Sequence, residues 1–240
     1  VRINVFISSK GVCSRREADR WIQSGKVQVN GKIALTGQNI SEADVVMIDG
    51  RPLVSKPKIV YIAYHKPIGI ECTTDQTKKA NIIDAIGYPE RIFPIGRLDK
   101  DSSGLILLTN DGQIVNKILR SENQHEKEYL VTVDQIITDD FIENMAKGVQ
   151  IYNPVRHVTT ITLPAKIFKI HDHMFRIIIV QGLNLQIRRM AESLENKVRT
   201  LQRIRILNIN LGDLGIGKYR TLTKLETQEL MQLIQYSPHK

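Results

Sequence analysis

The stretch Ile95-Gly96-Arg97-Leu98-Asp99-Lys100-Asp101-Ser102-Ser103-Gly104-Leu105-Ile106-Leu107-Leu108-Thr109-Asn110-Asp111-Gly112 decides how the rest of the chain is read. An arginine and two aspartates sit in a loop bounded by glycines, an apolar run follows, and Asn-Asp-Gly closes it. That order predicts a polar loop fastened to one end of a fully buried strand. A carboxylate carried this way is positioned by the core behind it, not merely solvated.

Around this stretch lie 240 residues, enough to bury a real core as one large domain or as a large and a small one. Apolar residues make up 42% and charged residues 25%, the balance of a globular chain with little disorder. Lys and Arg number 34 against 25 Asp and Glu, a formal net charge of +9 that favours a polyanionic partner. Cys13 and Cys72 are the only cysteines, which excludes a disulfide framework and a cysteine-based zinc site and suits a reducing cytoplasm. No apolar stretch approaches the roughly 18 residues that would span a bilayer, and the first 25 residues form a charged amphipathic pattern unlike a signal peptide. No membrane partner is expected.

At the N-terminal end, Ile3, Phe6 and Ile7 recur at helical spacing before Gly11. Ser14-Arg15-Arg16-Glu17 is a capping box opening a second helix, with Ala18, Trp21 and Ile22 toward a core and Gly25 at its end. Its other face carries Arg15, Arg16 and Arg20, with Lys26 nearby; a solvated helix face explains such a run as readily as a nucleic-acid contact. Val27-Gln28-Val29 enters an Asn30-Gly31 hairpin, and Val45 to Gly50 is a further strand. A small α+β domain is expected over 1–52. Residues 51–58 hold two prolines and no periodicity, and the linker is placed at 53–58. A second domain follows over 59–240. Strands are predicted at Ile59 to Tyr64, Glu126 to Val133, Val158 to Leu163, Phe175 to Val180 and Arg203 to Leu211, with Lys127 and Tyr129 on one strand face. Helices are predicted at Asn81 to Ile86, Val115 to Leu119, Phe141 to Lys147, Leu183 to Leu194 and Leu225 to Ile234. Strands adjoin without regular βαβ alternation, so the fold class is α+β on a mixed, mostly antiparallel sheet.

Taken singly, the chemically able residues have plain explanations. Asp99 fits an Asx turn or an ion pair with Arg97, Arg188 a surface pair with Glu192 one turn on, and Tyr129 a half-buried strand tyrosine. Asp99 with Asp101 resembles a glycosidase pair in composition, but so short a loop assures no separation across a glycosidic bond. His171-Asp172-His173 could set two imidazoles on one strand face without a third ligand cluster, so no metal is expected.

Two resemblances bear on these residues. Cys13-Ser14-Arg15-Arg16-Glu17-Ala18-Asp19 with Gly25-Lys26-Val27 and Val29-Asn30-Gly31 resembles the small RNA-binding domain named after ribosomal protein S4, whose basic helix face lies against structured RNA. Lys66-Pro67-Ile68-Gly69, Gly96 through Gly112, Lys127-Glu128-Tyr129, Gly182-Leu183-Asn184 through Gln186-Ile187-Arg188-Arg189-Met190, and Lys218 to Thr223 follow the order of the RsuA/RluF group of ribosomal RNA pseudouridine synthases. Phe93-Pro94-Ile95 and the surroundings of Arg188 are most similar to the RluF branch, which acts on large-subunit rRNA. The resemblance implies a pseudouridine synthase fold and isomerisation of a uridine in 23S rRNA, and it leaves a tRNA anticodon open as a second substrate. It implies Asp99 as the catalytic carboxylate, Arg188 as the cation that keeps it ionised, and Tyr129 packed against a flipped uracil. Arg15, Arg16, Arg20, Lys26, Lys66, Arg97 and Arg189 are the expected RNA contacts; no cofactor is required, and a monomer is expected. Leu185 stands where relatives commonly carry Arg or His, and Leu194-Glu195-Asn196 replaces a more usual aromatic- and Gly-containing turn. Both departures bear on substrate choice. The rivals are an inactive RNA-binding or ribosome-assembly factor with the same fold and a carbohydrate-active hydrolase, which would leave the N-terminal arginines unexplained.

Overall fold

The computed structural model describes residues 1–53, 58–119, 124–154 and 157–235, which fall into two compact units. The first holds Val1–Val60 with the short pieces Pro89–Arg91 and Asn110–Gly112. Helices α1 (Ile3–Ser9) and α2 (Arg15–Gln23) share a core built from Ile3, Phe6, Ile7, Ala18 and Ile22. With them lies a sheet of β1 (Val27–Val29), β2 (Lys32–Ile33), β3 (Val46–Ile48) and β4 (Arg51–Pro52), ordered β2-β1-β3-β4. Ser14 Oγ accepts the Glu17 N–H at 3.1 Å, which is half of the expected capping box. The Glu17 carboxylate turns to the Arg20 guanidinium instead. Asn30 and Gly31 both take positive φ (50° and 80°), as a two-residue hairpin whose twist matches its strands requires. Arg51–Pro52 pairs with β3, so the stretch read as free of regular structure opens with a strand. Of the expected linker, residues 54–57 lie outside the described residues.

The second unit holds Tyr61–Tyr88, Ile92–Thr109 and Gln113–Lys240. Its elements are β5 (Tyr61–Lys66), α3 (Ile82–Ile86), β6 (Phe93–Ile95), β7 (Ser103–Thr109), α4 (Gly112–Leu119), β8 (Lys127–Val133), α5 (Asp139–Lys147), β9 (Gln150–Asn153), β10 (Val158–Ile161), β11 (Lys166–His171), β12 (Met174–Ile179), α6 (Gln186–Ser193), β13 (Val198–Ile206), β14 (Ile209–Asn210), β15 (Tyr219–Thr221) and α7 (Lys224–Gln235). Among the described residues the main sheet runs β11-β12-β8-β13-β7-β5-β15, with β6 also on β7 and β14 on β13. Its ladders are antiparallel except β13 on β7. This is the mixed, mostly antiparallel sheet expected of an α+β chain. No helix among the described residues is long and apolar enough to cross a membrane.

Strand β7 is buried along nearly its whole length, and its Leu105 and Leu107 join Ile114 and Ile118 of α4 and Leu230 and Ile234 of α7 in one core cluster. Each such side chain contributes about 1.5–3 kcal/mol on leaving water. Several elements differ from expectation. Strand β5 starts and ends two residues later than predicted, which brings Lys66 into the sheet. His171 ends β11 while Asp172 and His173 form the turn into β12, so the two imidazoles do not share a strand face.

The registers align one row across four strands: Lys66 opposite Gly104, Gly104 opposite Arg203, and Arg203 opposite Tyr129. Gly104 has φ 108°, and a Cβ there would lie 2.3 Å from the Arg203 carbonyl oxygen and 2.6 Å from its nitrogen. Both contacts are with backbone, so nothing can swing aside. Gly104→Ala is therefore expected to cost about 3 kcal/mol from overpacking and backbone strain, measured as a lower midpoint of denaturant unfolding. A loss under ~0.5 kcal/mol, the size of an ordinary surface change, would show that the β7–β13 junction tolerates a side chain.

Candidate active site

A cavity of about 610 Å³ opens in the second unit, lined by Arg97, Leu98 and Asp99 of the loop before β7, Lys127 and Tyr129 of β8, and Arg203 of β13, with Leu183 to Ile187 along another side. The loop is fixed from behind by groups that grip its backbone. The Leu98 N–H donates to Cys72 Sγ at 3.3 Å, and the Gly69 N–H donates to the Lys100 carbonyl at 2.8 Å. Arg188 Nη2 donates to the Asp101 carbonyl at 2.8 Å. The Ser102 N–H closes a turn onto the Asp99 carbonyl at 3.0 Å. With its backbone so held, the half-buried Asp99 side chain is left facing the cavity.

Lys66 is completely buried, and its ammonium donates to the carbonyls of Pro67 (2.8 Å), Ile70 (2.9 Å) and Lys100 (3.4 Å). Burial pushes its pKa below the ordinary lysine value, while Cys72, Asp99 and Asp101 act in the other direction. A lysine spent on three carbonyls under the loop is placed to hold it, and it is no surface cation for RNA, which corrects the expectation for this residue.

Arg188 also departs from expectation. Among the described residues it forms no ion pair within 4.0 Å with Asp99 or with Glu192; its guanidinium is taken by the carbonyls of Asp101 and Val198, the latter at 3.3 Å. It borders a second cavity of about 410 Å³ with Asp134 and Glu192. Asp99 and Tyr129 thus share one cavity, and Arg188 reaches Asp99 only through the loop backbone two residues on. Arg97 is exposed at the cavity wall, and Arg189 donates to Asn184 Oδ1 at 2.8 Å. In the first unit Arg15, Arg16, Arg20 and Lys26 are all exposed, with Lys26 3.8 Å from Asp49.

The residue that sequence reading missed is Arg203. Only 4% exposed, it donates through Nε to the Leu105 carbonyl at 2.7 Å, while Nη1 lies 3.4 Å from the Arg97 carbonyl and 3.5 Å from the Tyr129 hydroxyl. Its guanidinium stands over the Tyr129 ring at 5.9 Å, and Nη2 has no hydrogen-bond partner among the described residues. The sequence signal was an arginine two residues after the inward-facing Leu201, a position where a strand buries its side chain. Lys127, two residues before Tyr129, joins it on the cavity side and donates to the His125 carbonyl at 3.1 Å. Burial first, and Arg203 second, lower its pKa to about 8. A positioned carboxylate, a tyrosine, a buried arginine and a half-buried lysine around one cavity can hold a flat polar ring and act on charge that develops in it.

Comparisons with known proteins place the chain in a family. The RNA pseudouridylate synthase family matches residues 60–193, and the S4 domain family matches residues 1–46. The chain is 48% identical over 239 residues to the dual-specificity RNA pseudouridine synthase RluF of Escherichia coli K12, covering 99% of this chain and 80% of that protein. It is 32% identical to the ribosomal large subunit pseudouridine synthase B of Bacillus subtilis, covering 97% of this chain and 96% of the relative. A crystal structure of a pseudouridylate synthase superposes with a TM-score of 0.69 at 30% identity, covering 96% of this chain and 99% of that one. With the loop, the tyrosine and the fold in place, the chain belongs to the RNA pseudouridylate synthase family and is an RNA pseudouridine synthase with an N-terminal S4 domain.

Proposed function

We propose that this enzyme isomerises a uridine of large-subunit ribosomal RNA in the 610 Å³ cavity, with Asp99 as the catalytic carboxylate. The observation that carries the reading is a backbone-clamped loop presenting an aspartate, without an ion pair among the described residues, into a cavity it shares with Tyr129. The uracil nitrogen is cut from the ribose, the ring turns, and a ring carbon takes its place. A carboxylate beside the anomeric carbon stabilises the positive charge that develops there. Tyr129 packs against the ring and assists removal of the proton from the new carbon link. Arg188 acts by fixing the loop through the Asp101 carbonyl and by lending its charge at a distance.

A uridine within a helix must leave its stack to enter this cavity, so the target lies in a loop or distorted stem. The exposed Arg15, Arg16, Arg20 and Lys26 hold structured RNA by its phosphates, and Arg97 and Arg189 hold it near the cavity. The relatives' description as dual-specificity supports a second RNA substrate, for which a tRNA anticodon is proposed. Both cysteines are free and buried, in keeping with work in the cytoplasm.

Two experiments test this reading. With transcripts of large-subunit rRNA tritiated at the fifth carbon of uridine, the protein releases tritium, and Asp99→Asn abolishes release while RNA binding is kept; normal turnover by that variant would overturn the assignment of Asp99 and its cavity to the reaction. Replacing both Arg15 and Arg16 by alanine is expected to weaken RNA binding and reduce the slope of log affinity against log salt by roughly 1–2. An unchanged slope would remove this helix face from the interface.

A further inference from the structure

Across the main sheet, the side chains of β8 and β13 sort by charge. Glu128 bonds Arg205 at 2.6 Å and Arg176 at 3.3 Å, and Glu126 bonds Arg205 and Lys166 at 2.9 Å each. These pairs lie on the face away from Tyr129, because Glu128 alternates with it along β8. Arg205 would share the face of Arg203 in a regular strand, but the irregularity between Arg203 and Arg205 puts Arg203 opposite Tyr129 and Arg205 opposite Glu128. On the cavity side Lys127 and Arg203 are left without a carboxylate within 4.0 Å among the described residues, and the buried Nη2 of Arg203 has no acceptor. A buried charged donor left without an acceptor is costly; Arg203 keeps one such nitrogen, and two cations at one cavity wall, held by carbonyl and hydroxyl oxygens and not by carboxylates among the described residues, describe a place for an anion.

We propose that Lys127 and Arg203 form an anion subsite that holds the uracil ring while it is detached from the ribose. This rests on the cavity being where the uridine enters. When the bond from N1 to the anomeric carbon breaks, its electron pair leaves with the ring, and the negative charge is shared over N1 and the two carbonyl oxygens. The ring turns within the cavity, C5 bonds to the anomeric carbon, the C5 proton passes to a base and N1 regains a proton, so the isomerisation needs no oxidant or co-reactant. The anion forms whether Asp99 attacks the ribose or acts as a base on it. Two fixed cations facing it stabilise the charge only once the bond has begun to break, which makes them catalytic and not merely adhesive.

The test compares leaving groups. Fluorine at C5 acidifies the ring N1, so detached 5-fluorouracil needs less help from the protein. On an rRNA fragment that the wild type converts, Lys127→Met is expected to slow single-turnover loss of the N-linked nucleoside about 100-fold. On the same fragment transcribed with 5-fluorouridine the deficit shrinks to under about 10-fold, as expected when a transition-state interaction matters less. The RNA concentration for half-maximal rate stays unchanged, and Lys127→Arg restores most of the rate. An equal deficit on both RNAs, or a defect confined to RNA affinity, would overturn the proposal. Lys127→Met removes a half-buried cation that has no carboxylate within 4.0 Å among the described residues, so it is expected to fold. Arg203→Lys repeats the comparison on the second cation, with a smaller leaving-group-dependent deficit expected and an equal one counting against the subsite. Failure of the cavity assignment shows separately, as normal turnover by Asp99→Asn.

Discussion

Everything at this site depends on the contact of Gly104 with the backbone of Arg203. The β7–β13 junction is a parallel pairing in the main sheet, and it closes only because position 104 carries no side chain. Glycine also supplies the φ of 108° that an L side chain rarely adopts. Once the two strands meet, the row from Lys66 through Gly104 and Arg203 to Tyr129 is fixed, and the loop carrying Asp99 enters the sheet beside it. The glycine that looks like a loop boundary in the sequence is the point where the site's two halves are joined.

The second constraint is electrostatic. Buried charges are tolerated when paired or hydrogen-bonded, and this domain uses both solutions on opposite faces of one sheet. Glu126 and Glu128 take three cations on the far face, and their hydrogen bonds with Lys166 and Arg205 hold the Glu126 carboxyl below its ordinary range. On the cavity face Lys66 and Arg203 satisfy themselves with carbonyl oxygens, which fixes their position without neutralising them. A carbonyl dipole orients a cation and leaves its charge available. The irregularity in β13 makes this separation possible, since without it Arg205 would crowd the cavity and Glu128 would lose its closest partner.

Local chemistry was legible in the sequence and its tertiary use was not. The Ser14 cap, the Asn30-Gly31 hairpin and the face shared by Lys127 and Tyr129 rest on interactions within a few residues, and each appears as expected. The buried strand after Asp99 was readable because four consecutive aliphatic side chains have no other place to go. Lys66 was misjudged because a lysine is a surface residue by default, and only the shift of β5 shows its ammonium beneath the loop. Arg203 follows Leu201 at strand spacing, but its neighbour Arg205 leaves that face only through a register slip that no periodicity announces. The two histidines were placed on one strand because a turn made of Asp172 and His173 carries no glycine or proline to mark it.

Among the described residues Asp99 forms no ion pair within 4.0 Å with Lys66, Arg188 or Arg203, and the geometry explains why. Arg203 is drawn to the Leu105 and Arg97 carbonyls, Arg188 to those of Asp101 and Val198, and Lys66 to three carbonyls below the loop. Each of these bonds fixes a positive charge without an ion pair to the carboxylate, and Lys66 among them lies close enough for Asp99 to act on its charge. Direct pairing would neutralise both groups and leave the cavity with nothing to offer a reaction that separates charge. Cleavage of a nucleoside bond makes the sugar carbon positive and the ring negative at the same moment. On the roles proposed above, a site that holds an anion beside the sugar and cations beside the ring, each pinned by neutral dipoles, is organised for that instant and not for the bound uridine before it.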